Sequence, residues 1–122
     1  MPFSYSIRVR YSEVDMQGVV FNANYLAYCD DAFDTFVRTA IPEGLEAHGV
    51  DVMLKKAILE WVAPARMGDS LQIKVNISSW GNTSFTTTFT AEGIFSAEIV
   101  YVCVQHKTTT PTHFPDHLRQ RL

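Results

Sequence analysis

Residues 24–40 read NYLAYCDDAFDTFVRTA, and no other part of the chain carries so long a helical pattern. The apolar residues recur at spacings of three and four, as they do along one face of an α-helix. They are Tyr25, Tyr28, Cys29, Ala32, Phe33, Phe36, Val37 and Ala40. Asp30, Asp31 and Asp34 lie mostly off this face. The pattern therefore predicts one long amphipathic helix that buries its apolar side.

Residues typical of helix ends flank this stretch. Asn22 or Asn24 can cap the start, because Asn side chains accept hydrogen bonds from the unpaired N–H groups of a first turn. Pro42 and Gly44 follow the predicted end, where both residue types are common.

Alternating apolar residues predict strands before and after the helix. The first strand carries Tyr5, Ile7, Val9 and Tyr11 on one face. Four further strands are predicted around residues 52–62, 71–77, 85–89 and 99–104, separated by turns at Pro64 to Gly68, Gly81-Asn82 and Gly93. One or two helical turns are expected in the tail after Pro115.

The order of these elements predicts an α+β fold, with one helix against an antiparallel sheet of about five strands. The helix is expected on the Tyr5, Leu71 and Phe85 side, and the alternate residues Ser84, Thr86, Thr88 and Thr90 are expected on the polar outer side. No composition shift divides the chain, so we predict a single domain over residues 1–122.

Composition and charge argue against several classes of protein. The net charge is −3, the pI is 5.7 and the ten Lys and Arg residues are scattered, which is unlike a nucleic-acid-binding surface. No stretch approaches the roughly 20 apolar residues of a membrane span, and residues 1–10 lack the apolar segment of a signal peptide. Two cysteines are too few for a disulfide framework. We expect a cytoplasmic protein.

The segment between the first strand and the helix has the residues best suited to chemistry. Residues 10–26 read RYSEVDMQGVVFNANYL and place Glu13, Asp15 and Gly18 just before a helix N-terminus. Free N–H groups there favour negative charge, so a reacting carbonyl could be held with its oxygen on the helix and its carbon near Asp15. The spacing is equally consistent with an Asp15 that only stabilises the loop by hydrogen bonding.

This segment resembles the signature of the 4-hydroxybenzoyl-CoA thioesterase family, which has the hotdog fold. The matching positions are Tyr11, Glu13, Asp15, Gly18, Val19, Val20, Phe21, Ala23, Asn24, Tyr25 and Leu26. The resemblance continues through PARMGD at 64–69, GNTSF at 81–85 and FPDHLR at 114–119, so it covers nearly the whole chain.

The resemblance implies that the chain hydrolyses an acyl-CoA without a metal or cofactor. Asp15 would be the nucleophile or the general base for water, in a turn that Gly18 permits. The backbone N–H of Asn22 would polarise the thioester carbonyl; many relatives carry His there, so a side-chain role at this position is not carried over.

The resemblance also implies substrate contacts and an assembly. Tyr25 and Asn24 match the family pattern and are candidate substrate contacts, although each also suits helix-start packing. Arg66, Lys74 and Lys107 are candidate partners for the phosphates of CoA. A homodimer or homotetramer is implied, with the site at the subunit junction. An acyl-carrier-protein thioesterase and a non-catalytic acyl-binding subunit are the alternatives.

Two other groupings of reactive residues are weaker. Cys103, His106, His113 and His117 could be assembled into a zinc site, but Cys103 and His106 should face opposite sides of one strand. Cys29 lies on the apolar face of the helix, where a small buried residue is expected, so pairing it with His48 as a nucleophile is not supported.

Overall fold

The computed structural model describes residues 3–122; Met1 and Pro2, which belong to the predicted domain, lie outside the described residues. The elements in chain order are β1 (Phe3–Arg8), α1 (Asn22–Ala40), β2 (Val50–Trp61), β3 (Ser70–Trp80), β4 (Ser84–Ala91), β5 (Phe95–Gln105) and α2 (Asp116–Arg119). Two short 3-10 helices cover Tyr11–Glu13 and Leu45–His48. Among residues 3–122 no helix is both long and apolar enough to cross a membrane.

The five strands form one antiparallel sheet in the order β1-β3-β4-β5-β2, which confirms the predicted α+β architecture. α1 packs on one face of this sheet through its apolar side. The ring of Phe33 stacks on Tyr101 with centroids 4.2 Å apart, and on Phe85 at 5.9 Å. Phe36 contacts Phe3 of β1 at 5.4 Å. The core is therefore the layer between α1 and the sheet, as the two periodicities predicted.

The segment before α1 departs from the prediction in two ways. The first strand ends at Arg8, and Tyr11, expected on its buried face, lies in a 3-10 turn and is 74% exposed. The turn rotates Tyr11 outward, whereas Val9 remains buried as expected. The predicted capping by Asn22 or Asn24 is wrong, since Phe21 is the N-cap residue and no side chain caps α1.

β2 is an edge strand with an irregular pairing. It pairs with β5 alone, and the register shifts between the pairs Leu54–Tyr101 and Lys56–Val100, so that Lys55 is an extra residue in a β-bulge. Large apolar side chains along this strand are 42% to 48% exposed; they are Met53, Leu54, Ile58 and Trp61. The strand predicted from periodicity as largely apolar thus carries apolar surface that α1 does not cover.

The two faces of β4 differ as predicted, and the buried face includes one polar side chain, Thr87. Thr86 and Thr88 are partly exposed on the outer face, while Phe85 and Phe89 are buried beneath α1. Thr87 lies between those two rings and is fully buried, and its Oγ1 has no hydrogen-bond partner.

Candidate active site

Asp15 opens a tight hairpin between the 3-10 turn and α1. Val14 and Val20 form an isolated β-bridge, and the Asp15 N–H donates to the Val19 carbonyl over 2.9 Å. The Gly18 N–H donates back to the Asp15 carbonyl over 3.0 Å, with φ of 78°, a left-handed conformation that glycine adopts most easily. Residues 14–20 therefore form a closed loop, the Asp15 loop, which holds the Asp15 side chain out in solvent.

The Asp15 carboxylate makes the local contact that is typical of Asp in turns. Its Oδ1 accepts a hydrogen bond from the Gln17 N–H over 2.8 Å. Asp15 thus shapes its own loop, as the structural interpretation of the sequence required. This contact engages one oxygen only, so the same carboxylate remains available to a substrate.

Glu13, the other carboxylate of the segment, has a different environment. Its Oε1 accepts hydrogen bonds from the Arg10 N–H over 2.8 Å and the Tyr28 hydroxyl over 3.0 Å. Its Oε2 accepts from Nε and Nη2 of Arg10 over 3.1 and 2.8 Å. Burial alone would raise the pKa of Glu13, but these bonds outweigh it and hold the pKa below its ordinary value. Glu13 is therefore an engaged, buried anion and not a spare catalytic group.

The start of α1 offers N–H groups to a ligand. The first N–H groups of a helix have no partner within the helix, and no side chain caps those of α1. The Asn24 N–H donates a hydrogen bond to the Phe21 carbonyl over 2.9 Å. The N–H groups of Asn22 and Ala23 have no hydrogen-bond acceptor among residues 3–122. With the helix dipole, these groups favour an oxygen that gains negative charge.

An apolar cleft of about 330 Å³ begins at this helix end. Asn22 and Tyr25 of α1 line it, and the remaining walls come from residues beside the helix start and the end of β2: Val19, Val20, Trp61, Val62, Ala63 and Pro64. Val19, whose carbonyl accepts a hydrogen bond from the Asp15 N–H, lines the cleft, so the Asp15 loop borders it. The arrangement combines an uncapped helix start and an apolar cavity with a neighbouring loop that carries an exposed carboxylate.

Tyr25 and Asn24 both have structural partners at the helix start. The Tyr25 hydroxyl accepts a hydrogen bond from the Ala65 N–H over 3.0 Å, and its ring lies edge-on to Trp61 at 5.8 Å. Asn24 donates from Nδ2 to the Glu13 carbonyl over 2.9 Å. Of the two, Tyr25 also lines the cleft, so its ring is the one placed to touch a bound group.

The three basic candidates lie in different places. Arg66 pairs with Val19 in an isolated bridge and is exposed beside the Asp15 loop. Lys74 lies on the outer face of β3. The Lys107 N–H approaches Asp51, near the start of β2. The cleft lies at the other end of this strand, beside Trp61, and the ten residues from Asp51 to Trp61 span roughly 3.3 Å each. Of the three, only Arg66 forms a backbone bridge to a residue that lines the cleft, Val19.

Sequence reasoning missed Trp61 and Tyr28. Trp61 forms a wall of the cleft because β2 ends beside the helix start, a contact between residues far apart in sequence. Tyr28 was assigned to the helix core, where it is indeed buried, but its hydroxyl also reaches Glu13. A Tyr on the apolar face of a helix is a weak signal of a hydrogen bond like the one from Tyr28 to Glu13, since a buried hydroxyl needs a partner.

The cysteine and histidine groupings gain no support as sites. In residues 3–122 no group of three or more His, Cys, Asp and Glu side chains could hold a metal ion. Cys29 and Cys103 are free and fully buried, and burial raises the pKa of Cys29 to about 12 and that of Cys103 to about 11. A thiol in that state is a poor nucleophile at neutral pH.

A comparison with known protein families assigns the chain to a superfamily. A family model described as the thioesterase-like superfamily matches residues 9–122. The chain belongs to this superfamily. That confirms the resemblance read from the Asp15 segment, and it confirms the expectation of a thioester hydrolase at the level of the family.

Relatives and solved structures agree with this assignment. The acyl-CoA thioester hydrolase YbgC of Escherichia coli O6:H1 is 32% identical over 120 residues, which cover 93% of this chain and 90% of YbgC. A hypothetical protein from Aquifex aeolicus superposes with a TM-score of 0.88 at 24% identity, covering 99% of both chains. The gentisyl-coenzyme A thioesterase BH1999 gives 0.85 at 22% identity, covering 98% of both. The fold is thus that of hotdog thioesterases.

Proposed function

We propose that this protein hydrolyses an acyl-CoA to a carboxylic acid and free coenzyme A, with Asp15 as nucleophile or as general base for water. The observation that carries the proposal is the uncapped start of α1 at the mouth of an apolar cleft, beside the loop that carries the exposed Asp15 carboxylate. The relative YbgC, named an acyl-CoA thioester hydrolase, supports the same reaction.

In this mechanism the thioester carbonyl oxygen lies against the Asn22 N–H and the acyl group enters the cleft. Negative charge develops on that oxygen as the carbonyl carbon is attacked, and a preorganised N–H stabilises it more than it stabilises the neutral substrate. This role uses the backbone of Asn22, so it does not depend on the side chain. Gly18 contributes by holding the turn that presents Asp15.

The apolar edge of β2 supports assembly into a homodimer, or a tetramer of dimers. A 12-residue strand paired on one side leaves backbone N–H and C=O groups unpaired, and its exposed apolar side chains need cover. Because Trp61 belongs both to this edge and to the cleft, a partner on β2 would border the site. Lys74 and Lys107, which do not line the cleft, would contact CoA across such a junction.

A panel of acyl-CoA esters, with release of free thiol as the readout, tests the proposed reaction. We expect turnover by the wild type, and a loss on the order of 10² to 10⁴ for Asp15→Asn if the carboxylate is a base, with a greater loss if it is the nucleophile. Asp34→Asn, in an exposed ion pair with Arg38 on α1, is a matched control outside the cleft.

Two results would contradict the proposal. Wild-type turnover by Asp15→Asn would remove Asp15 from the mechanism. A wild type that cleaves no acyl-CoA but cleaves acyl groups on a carrier protein would assign the other class of thioester.

A further inference from the structure

Glu13 is the one charged residue among residues 3–122 that is buried, with 9% of its surface exposed. Burial of a charge is unfavourable unless hydrogen bonds and an opposite charge compensate for it. Here four hydrogen bonds do so, three from Arg10 and one from Tyr28. The Glu13 side chain thereby connects Arg10, two residues after β1, to Tyr28 in the second turn of α1.

The backbone of Glu13 makes a second set of contacts. Its carbonyl accepts hydrogen bonds from the Phe21 N–H over 3.0 Å and from Nδ2 of Asn24 over 2.9 Å. The Asp15 loop starts directly after Glu13 and returns at Phe21, the residue before Asn22. Both ends of the loop and the first turn of α1 are therefore fixed to this one residue.

We propose that Glu13 and Tyr28 are a positioning pair for the thioesterase reaction, setting the place of Asp15 relative to the Asn22 N–H without touching the substrate. The inference rests on the proposed function. It assigns a positioning role in that reaction to two residues that lie outside the cleft. Directional hydrogen bonds suit this task, because they fix orientation where apolar packing would fix only distance.

The kinetic consequence follows from the distances that attack requires. Reacting atoms must approach to about 3–3.5 Å, and a displacement of roughly 1 Å can cost about 10²-fold in rate. Tyr28→Phe removes the hydroxyl and keeps the ring, which lies edge-on to Tyr25 at 6.0 Å. We expect kcat to fall about tenfold to a hundredfold, with KM within about twofold of the wild type.

Tyr101→Phe is the matched control. Tyr101 is buried like Tyr28, and its hydroxyl likewise donates to a carboxylate, in this case Oδ1 of Asp30 in α1, over 3.4 Å. This control should leave kcat unchanged, because the aromatic and hydrogen-bonding partners of Tyr101 within residues 3–122 are Phe33, Phe85 and Asp30, none of which belongs to the Asp15 loop. A purely structural role for Tyr28 would lower the melting temperature of both variants without separating their kcat values.

Arg10→Met gives a second test that spares the core, since the Arg10 side chain is 71% exposed. It removes two of the bonds to Glu13 and should lower kcat in the same range as Tyr28→Phe. Glu13→Gln should be more harmful than either, because its amide would face the Arg10 donors, yet milder than Asp15→Asn.

The outcomes separate this inference from the proposed function. Asp15-dependent hydrolysis by the wild type, with wild-type kcat in folded Tyr28→Phe and Arg10→Met, overturns the inference alone. Equal losses in Tyr28→Phe and Tyr101→Phe also overturn it. If the wild type hydrolyses no acyl-CoA, the proposed function fails and the inference fails with it.

Discussion

The Gln17 N–H donates to Oδ1 of Asp15 over 2.8 Å, and this contact makes the two carboxylate oxygens unequal. Oδ2 accepts no hydrogen bond from any group in residues 3–122. The engaged oxygen is held against the loop backbone, while the other keeps its electron pairs for a reacting group. A single contact therefore serves both the loop and the proposed chemistry.

We expect Asp15 to act as the nucleophile, and labelled water can show it. Its oxygen would add to the thioester carbon, the C–S bond would break to release coenzyme A, and water would open the resulting anhydride at the Asp15 carbon. One turnover in ¹⁸O water, with enzyme in excess, should place the label in Asp15, as measured by peptide mass spectrometry. An unlabelled Asp15 with labelled product would instead indicate a general base.

The buried side of α1 can be checked by a pair of truncations. Phe36 is 9% exposed and contacts Phe3, so Phe36→Ala should destabilise the fold by about 3–5 kcal/mol. Asp34→Ala should change stability little, since its pair with Arg38 is exposed. Urea midpoints give both values, and equal small shifts would mean that the buried face is misassigned.

Thr87 provides a stabilising substitution. Its fully buried hydroxyl has no partner, so Thr87→Val, which keeps the shape and removes the unsatisfied oxygen, should stabilise the protein by about 1 kcal/mol. Thr88→Val is the matched control on the outer face, where the Thr88 hydroxyl donates to the Asn76 carbonyl over 3.2 Å. It should give no gain; a lower melting temperature for Thr87→Val would contradict the assignment.

Acid should weaken the contact between the C-terminal segment and the loop after α1. Hydrogen bonds from Arg121, then from the backbone and His48, hold the pKa of Glu43 well below its ordinary 4.5. A lowered carboxyl pKa contributes stability that is fully present above about pH 4.5 and is lost progressively as the pH falls from there toward the lowered pKa of the folded state. Arg121→Gln should thus lower the melting temperature at pH 7 and progressively less below pH 4.5.

A variant that differs from the wild type equally at pH 7 and pH 3 would contradict this explanation. Arg38→Gln, which breaks an exposed pair within α1, is the control and should have a small effect throughout.

The proposed use of β2 as an interface predicts the mass in solution. Light scattering should give twice 13.8 kDa or a higher multiple at micromolar concentration. Ile58→Lys, on the exposed apolar edge, should shift the protein toward monomer, whereas Thr39→Lys, which adds the same charge on the exposed side of α1, should not. A stable, active wild-type monomer would rule the interface out.

The sequence predicted the parts of this molecule that depend on local periodicity. The spacing of Phe33 and Phe36, and the alternation through Leu71, Ile73 and Val75, identified α1, β3 and their buried faces, because period alone decides which side chains share a side. The family signature pointed to Asp15 because the residues of that signature are close together in the sequence.

Features that depend on distant partners could not be predicted in this way. The burial of Glu13 requires Tyr28, fifteen residues further on, and the exposure of Tyr11 follows from where the strand stops. Lys55 alters the pairing of β2 through a bulge that periodicity does not reveal. Trp61 becomes part of the cleft only when the sheet brings it to the helix start.

The burial of both cysteines has a practical consequence for measuring this chemistry. Colorimetric disulfide reagents react with thiolates, and the thiols of Cys29 and Cys103 are inaccessible and protonated at neutral pH because burial raises their pKa values. Released coenzyme A is a solvated thiol that reacts freely. Colour in a continuous assay should therefore report product rather than enzyme, even in the enzyme-excess regime, and a slow protein background would signal unfolding of the preparation.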